Sequence, residues 1–271
     1  MIHRSDISRE ISAEMLKFRR RRSTFVFPAA LVLLAALLYI GFEAGARNHW
    51  FGVPSGFFVA ASSVAWIANV MVLVLVVITS FVISQDYALG TVKSAWVRPT
   101  SRTGWYTGKV LTACCVVAGL FVLAVVAVVV LAASRLGFVD LMEKDYLVHS
   151  ASSMGLRLLL TTGLTLFVMW SAVVVTSALA AGLNHPGGAI AVALGLGVAM
   201  TALSVFPATA PFLLTTYLGL PSEQMVAMSK GLPLPLEWAD LIWRSLGAGA
   251  SWALVAFVIG RKIVIGKEIT N

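Results

Sequence analysis

Charged side chains are scarce in this sequence: they make up 12% of 271 residues, against 59% hydrophobic, with a mean hydropathy of +0.91. A soluble domain carries roughly a quarter charged residues, so the composition is that of an integral membrane protein. Cysteine is nearly absent. Cys114 and Cys115 are adjacent in an apolar run, a placement that suits neither a disulfide framework nor a metal site. Histidine occurs four times. His185, in the turn Asn184-His185-Pro186-Gly187, has no second ligand near it in sequence and reads as a turn-forming imidazole that faces a partner.

Catalytic signatures are missing as well. Gly104-Trp105-Tyr106-Thr107-Gly108-Lys109-Val110 has the look of a phosphate loop. It is one residue short between its glycines, however, and it carries Val where Ser or Thr must meet magnesium. No nucleophile elbow, His-Glu metal helix or intramembrane carboxylate pair is present. Ionisable residues are almost lacking in the middles of the apolar runs, which disfavours an ion-coupled carrier built on an acidic or histidine relay. The net charge of +8 resides at the ends of those runs. It is a topology signal, and it forms no basic patch with base-stacking aromatics for nucleic acid. The sequence points to no enzyme, no cofactor and no metal. An energy source would lie in another chain.

Six apolar stretches, each near the ~20 residues that cross a hydrocarbon core, predict an all-α membrane protein. They lie at about 25–44, 57–84, 110–133, 157–183, 187–206 and 240–261 of a single transmembrane domain spanning 1–271. The first is read as a retained span, since no convincing small-residue cleavage site follows it. Ahead of it, Ile7, Ile11, Met15 and Phe18 form one stripe among Asp6, Glu10, Glu14, Lys17 and Arg19–Arg22. That pattern predicts an amphipathic helix over 5–22 in the membrane interface, held by anionic lipid. The alternative is a polar tail with a topogenic basic cluster. With the N-terminus inside, the inner segments hold fourteen Lys and Arg and the outer ones six, which favours both termini in the cytosol.

Two connections stand out. Residues 207–239 are rich in proline, and Phe212 to Leu220 is apolar but too short to cross, so a re-entrant or interfacial pair of short helices is expected on the outer side. Asp240 and Arg244, four apart, open the last span as an ion pair. The other connection is Gln85 to Lys109, a polar segment with Asp86, Lys93, Arg98, Arg102 and Lys109 between two apolar runs. Gly90 and Pro99 punctuate it, and Thr100 or Ser101 is placed to cap the next turn. It is a folded cationic knob on which a partner docks.

Taken in order, these segments resemble the type-2 permeases of ATP-binding-cassette (ABC) exporters, the compact six-span class. Ala13-Glu14-Met15-Leu16-Lys17-Phe18-Arg19-Arg20 is similar to that family's elbow helix. Asp86-Tyr87-Ala88-Leu89-Gly90-Thr91-Val92-Lys93, Arg98-Pro99-Thr100-Ser101-Arg102 and Gly108-Lys109 are similar to its inner loop, with Asp86 where the family usually has Glu. The proline-rich segment before the last span matches the outer re-entrant helices.

The resemblance implies a second permease chain, identical or related, and two copies of a separate cytosolic ATPase that carries the ATP and magnesium. It implies an ATPase-docking loop formed by Asp86, Gly90, Thr91, Lys93, Trp96, Arg98, Pro99, Arg102, Trp105, Tyr106 and Lys109. Arginine and aromatic rings dominate interface energies, though Trp96, Trp105 and Tyr106 are equally suited to anchoring at a membrane interface. Glu14, Lys17, Asn184 and His185 would make secondary cytosolic contacts. Spans two and five would line the passage, with Ser62, Ser63, Asn69, Thr79, Thr201 and Ser204 as its polar positions. The implied function is ATP-driven export of an apolar or amphipathic cargo (a drug, hydrophobic peptide or lipid-like molecule) across a bacterial cytoplasmic membrane. The rival classes are a secondary carrier, an intramembrane enzyme, or a non-transporting scaffold of the same fold.

Overall fold

The computed structural model describes residues 4–20, 23–48, 55–91, 101–143, 146–183, 185–230 and 238–267. Among them, six helices are long and apolar enough to cross a membrane: α2 (Ser23–Arg47), α3 (Gly56–Ala88), α4 (Arg102–Arg135), α5 (Ala151–Gly182), α6 (Pro186–Leu203) and α8 (Trp238–Gly266). They are preceded by α1 (Arg4–Arg20), which packs on α4 and touches α2. A short helix, α7 (Thr216–Ser229), lies between α6 and α8.

Backbone groups in hydrocarbon must be satisfied within the segment, which is why these apolar runs are helical from end to end. Their ends are set by specific side chains. Ser55 Oγ accepts from Phe58 N at 3.1 Å to start α3, and Ser101 Oγ accepts from Gly104 N at 3.1 Å to start α4. Asp140 Oδ1 accepts from Ala151 N at 2.6 Å at the head of α5. At α6, His185 Nδ1 accepts from Gly187 N at 3.1 Å, with Pro186 in the first helical position. Gly137, at φ 70°, terminates α4 by donating to Ala132 O at 3.0 Å.

α3 is the hub. It packs against α2, α4, α5, α6 and α7, and it is the most buried of the six. Small residues let the backbones approach: Ala35, Ala61, Ala68, Ala113, Ala124 and Ala132 are all buried at these contacts. That is the expected solution where lipid removes the hydrophobic drive and close packing carries the association. Large apolar residues such as Leu33, Leu37, Val126, Val130, Leu159 and Val198 instead stay exposed on the outer surface of the bundle, where a bilayer would cover them. α5 and α8 form the most extensive helix pair, whereas α6 and α8 hardly touch and both rest on α5.

The connections add detail to the sequence reading. Residues 102–109, placed within the inner segment ahead of the third span, are the first two turns of α4. The connection after α4 contains two short antiparallel strands, β1 (Leu141–Glu143) paired with β2 (Tyr146–His149). Between α6 and α8 the described residues hold a 3-10 turn, Ala210–Phe212, and the short helix α7. α7 buries Tyr217, Leu218, Met225 and Met228 and packs against α3 and α5, with Leu214 buried just ahead of it. At 14 residues it is too short to cross.

Candidate functional site

At the end of the bundle that carries α1, four helices converge: α1, α3, α4 and α8. Their meeting point is built on Lys109, two turns into α4. Its ammonium is 1% exposed and donates to Glu14 Oε1 of α1 at 3.0 Å and to Val82 O of α3 at 2.7 Å. It also pairs with Asp86 Oδ2 at 2.7 Å. Its fourth neighbour is the Trp105 ring, one turn back on α4, with the ammonium 5.0 Å from the centroid. Lys17 closes the cluster from the solvent side, 2.6 Å from Glu14 Oε1 and 3.5 Å from Asp86 Oδ1. A buried ammonium is tolerated only when paired and hydrogen-bonded, and here two carboxylates and a carbonyl meet that requirement.

Helix α1 reaches this position because Gly108 lacks a side chain: a Cβ there would lie 2.8 Å from Cβ and Cγ of Glu10. The close approach buries Glu10 in part, and that burial raises its carboxyl pKa above the ordinary carboxylate range; Lys109 opposes the shift and Glu14 adds to it. Burial works to lower the Lys17 pKa, but the hydrogen bond and charge of Glu14 outweigh it, and the net shift is upward.

A second joint lies beside the first. Arg102 Nη1 donates to Ile265 O at 2.8 Å and to Lys267 O at 3.0 Å, so a cation in the first turn of α4 satisfies the last carbonyls of α8. The Lys267 ammonium stands 4.0 Å over the Tyr87 ring, and Tyr87 meets Trp105 edge-on at 5.8 Å. One turn further along α4, Tyr106 inserts against Gly260 of α8. A Cβ at Gly260 would fall 2.0 Å from the Tyr106 hydroxyl and 3.1 Å from Ala178 Cα, so the notch exists only because residue 260 is glycine. The Tyr106 hydroxyl is buried and finds no acceptor among the described residues.

The structure thus gathers Glu14, Lys17, Asp86, Arg102, Trp105, Tyr106 and Lys109 into one assembly, with Thr91 donating to Asp86 O at 3.3 Å. Gly90 ends α3 in the left-handed region at φ 67°. Lys93, Trp96, Arg98, Pro99 and Asn184 lie outside the described residues. Four of the expected partner-facing residues are turned inward. Trp105, Tyr106 and Lys109 are essentially unexposed and Glu14 is 4% exposed, because the helix formed by 102–109 directs them at α1, α3 and α8. Arg102 is likewise engaged with α8.

The expected passage positions also divide. Ser62, Ser63 and Thr79 are buried in the packing of α3, with Ser63 Oγ donating to Val59 O. Asn69 is exposed and donates to Ala65 O, Thr201 is exposed and donates to Gly197 O, and Ser204 Oγ donates to Thr201 O. His185 caps α6 through Nδ1 and is exposed.

Sequence reasoning missed the contribution of Glu10 and Gly108, for which a helix-facing glycine opposite an acidic residue was the only signal. It also missed a polar strap at the opposite end of the bundle. There Glu43 of α2, 4% exposed, pairs with Arg47 at 2.6 Å and with Arg135 of α4 at 3.1 Å. Among the described residues no group of three or more His, Cys, Asp or Glu is placed to hold a metal.

A protein-family model described as ABC-2 family transporter protein matches residues 10–196, from Glu10 in α1 through most of α6. The match contains every residue of the Lys109 cluster. No curated protein matches the chain.

Proposed function

This chain belongs to the ABC-2 transporter family, and from that premise we propose that it is the permease subunit of an ABC exporter. Hydrolysis takes place on a separate cytosolic ATPase, which holds the ATP and magnesium, and two copies of that ATPase serve a pair of permease chains. The α1 end of the bundle faces the cytosol with both termini, in a bacterial cytoplasmic membrane. The ATPase docks on the segment between α3 and α4, where Lys93, Trp96, Arg98 and Pro99 are the contact candidates, and Lys17 and His185 add contacts at the margin. α1 lies in the interface against anionic lipid. The cargo is apolar or amphipathic, since the positions assigned to the passage are uncharged.

The observation that supports this reading best is the Lys109 cluster. A docking segment transmits force only if its ends are tied to the spans. Here the residues flanking it are tied to α1 and α3 by Lys109 and to α8 by Arg102, so displacement of the segment draws on all four helices. That is the arrangement a chain without an engine of its own needs.

The test is co-reconstitution. The chain is placed in proteoliposomes with and without a cytosolic ABC ATPase that co-purifies with it, and export of a lipophilic fluorescent dye is followed. Transport that requires the ATPase and hydrolysable ATP is expected. Dye movement by the chain alone, driven by an ion gradient, would refute the proposal.

A further inference from the structure

Because α6 and α8 hardly touch, an open groove runs between them with α5 as its floor. It has a volume of about 420 Å³ at the α1 end of the bundle. Ala178, Leu179 and Gly182 lie on the floor, Val192 and Leu196 on one wall, and Ile259 and Trp252 on the other. From Trp252 to Ile263 helix α8 rises roughly 16 Å, about half of a ~30 Å hydrocarbon core and hence the depth of one leaflet. Trp252 marks the upper limit. Its indole is fixed by donation to Phe212 O at 2.8 Å, and it is shared with a second apolar groove on the other side.

The lower mouth is cationic. Lys262 is exposed, three residues beyond Ile259 and seven beyond Val255, so it flanks the same face of α8. A one-leaflet apolar slot with a basic side chain at its mouth matches one kind of occupant.

We propose that the α5–α6–α8 groove holds one acyl chain of an anionic phospholipid in the α1-end leaflet, with its phosphate against Lys262. The lipid is resident rather than cargo, so the site stands whether or not the docking assignment above is correct. It would fill the space that α6 and α8 leave open, and it would couple their separation to the lipid composition of that leaflet.

The experiment places the full chain in nanodiscs containing brominated phosphatidylglycerol or brominated phosphatidylcholine, and reads tryptophan quenching. Subtracting the signal of Trp252→Phe isolates Trp252. Phosphatidylglycerol should quench Trp252 preferentially, by about fivefold in affinity, the ratio expected of one basic side chain at an anionic surface. Lys262→Glu, a change on an exposed side chain, should abolish the preference while leaving quenching itself. Val192→Phe, at the exposed rim, should remove quenching by both lipids. Equal quenching by the two lipids in the wild type, or unchanged quenching in Val192→Phe, would overturn the proposal. So would cross-linking of Ile259→Cys to a second copy in a Cys114→Ala/Cys115→Ala background, because a neighbouring chain would then occupy the groove.

Discussion

Lys109 Nζ and Glu14 Oε1 lie 3.0 Å apart, although 95 residues separate them in sequence. The pair joins the first helix to the fourth at a point where both side chains are almost fully removed from water. Removing Lys109 leaves Glu14 and Asp86 to share Lys17 alone and leaves Val82 O without its donor. Lys109→Met should therefore destabilise the chain by ~1–3 kcal/mol. Glu14→Gln in the same background should recover part of the loss, since one of the two carboxylates that then share Lys17 is removed. Thermal unfolding in detergent measures both, and additive losses in the double variant would contradict the coupling.

Arg102 makes a more local prediction. Its guanidinium satisfies the terminal carbonyls of α8, so Arg102→Gln should loosen the last turn of that helix by about 1 kcal/mol. Amide exchange should rise over residues 261–267 and stay unchanged in α2. Arg102→Glu should be worse, because an anion then faces the negative end of a helix. Uniform exchange across the bundle would show that the contact is incidental.

The notch at Gly260 carries a third. Gly260→Ala drives a methyl into the Tyr106 ring and hydroxyl, and should cost ~1–3 kcal/mol. Tyr106→Phe alone should be neutral or mildly stabilising, since it removes a buried hydroxyl that has no acceptor among the described residues. Combining Gly260→Ala with Tyr106→Leu should restore stability by vacating the notch. Failure of that rescue would locate the clash at Ala178 instead.

Glu10 predicts a pH effect. Its folded-state pKa is raised above 4.5, chiefly by burial, so the ionised form is disfavoured in the folded chain. The penalty is present at neutral pH, shrinks as pH falls through the folded pKa, and is gone below the unfolded value. Glu10→Gln should therefore strengthen the docking of α1 at pH 7 and make no difference below about pH 4. Limited trypsin digestion at Lys17 and Arg19 reads the docking near neutral pH, and amide exchange in α1 reads it in acid. Faster cleavage of the variant at pH 7 would reverse the sign of the argument.

What the sequence displayed and what it concealed follow from the range of the interactions. The six crossing helices were legible because each is a contiguous apolar run, and Ser101 as a cap was legible because its partner is three residues away. The Lys109 cluster was not, since Glu14, Asp86 and Lys109 come from three helices and their convergence is a property of packing. Residues 102–109 were placed within the inner segment because their polarity suggested water. In the folded chain that polarity is consumed by contacts with α1, α3 and α8. The pairing of Leu141–Glu143 with Tyr146–His149 was hidden by the shortness of the strands and by the charged residues in that stretch of sequence, which dominate any local average. Arg102 and Lys109 were expected to face a partner, whereas in the structure Arg102 contacts α8 and Lys109 contacts α1 and α3.

The fastening of α4 at both of its tips has a mechanical consequence. Lys109 and Arg102 grip it near one end, and Arg135 ties the other to Glu43. A rod some 50 Å long, pinned at top and bottom, has no freedom to absorb a shove by slipping lengthwise. It pivots, and the strand pair that follows Gly137 must swing in step with whatever happens at Ser101. A signal applied on one side of the membrane would then arrive on the other as a tilt.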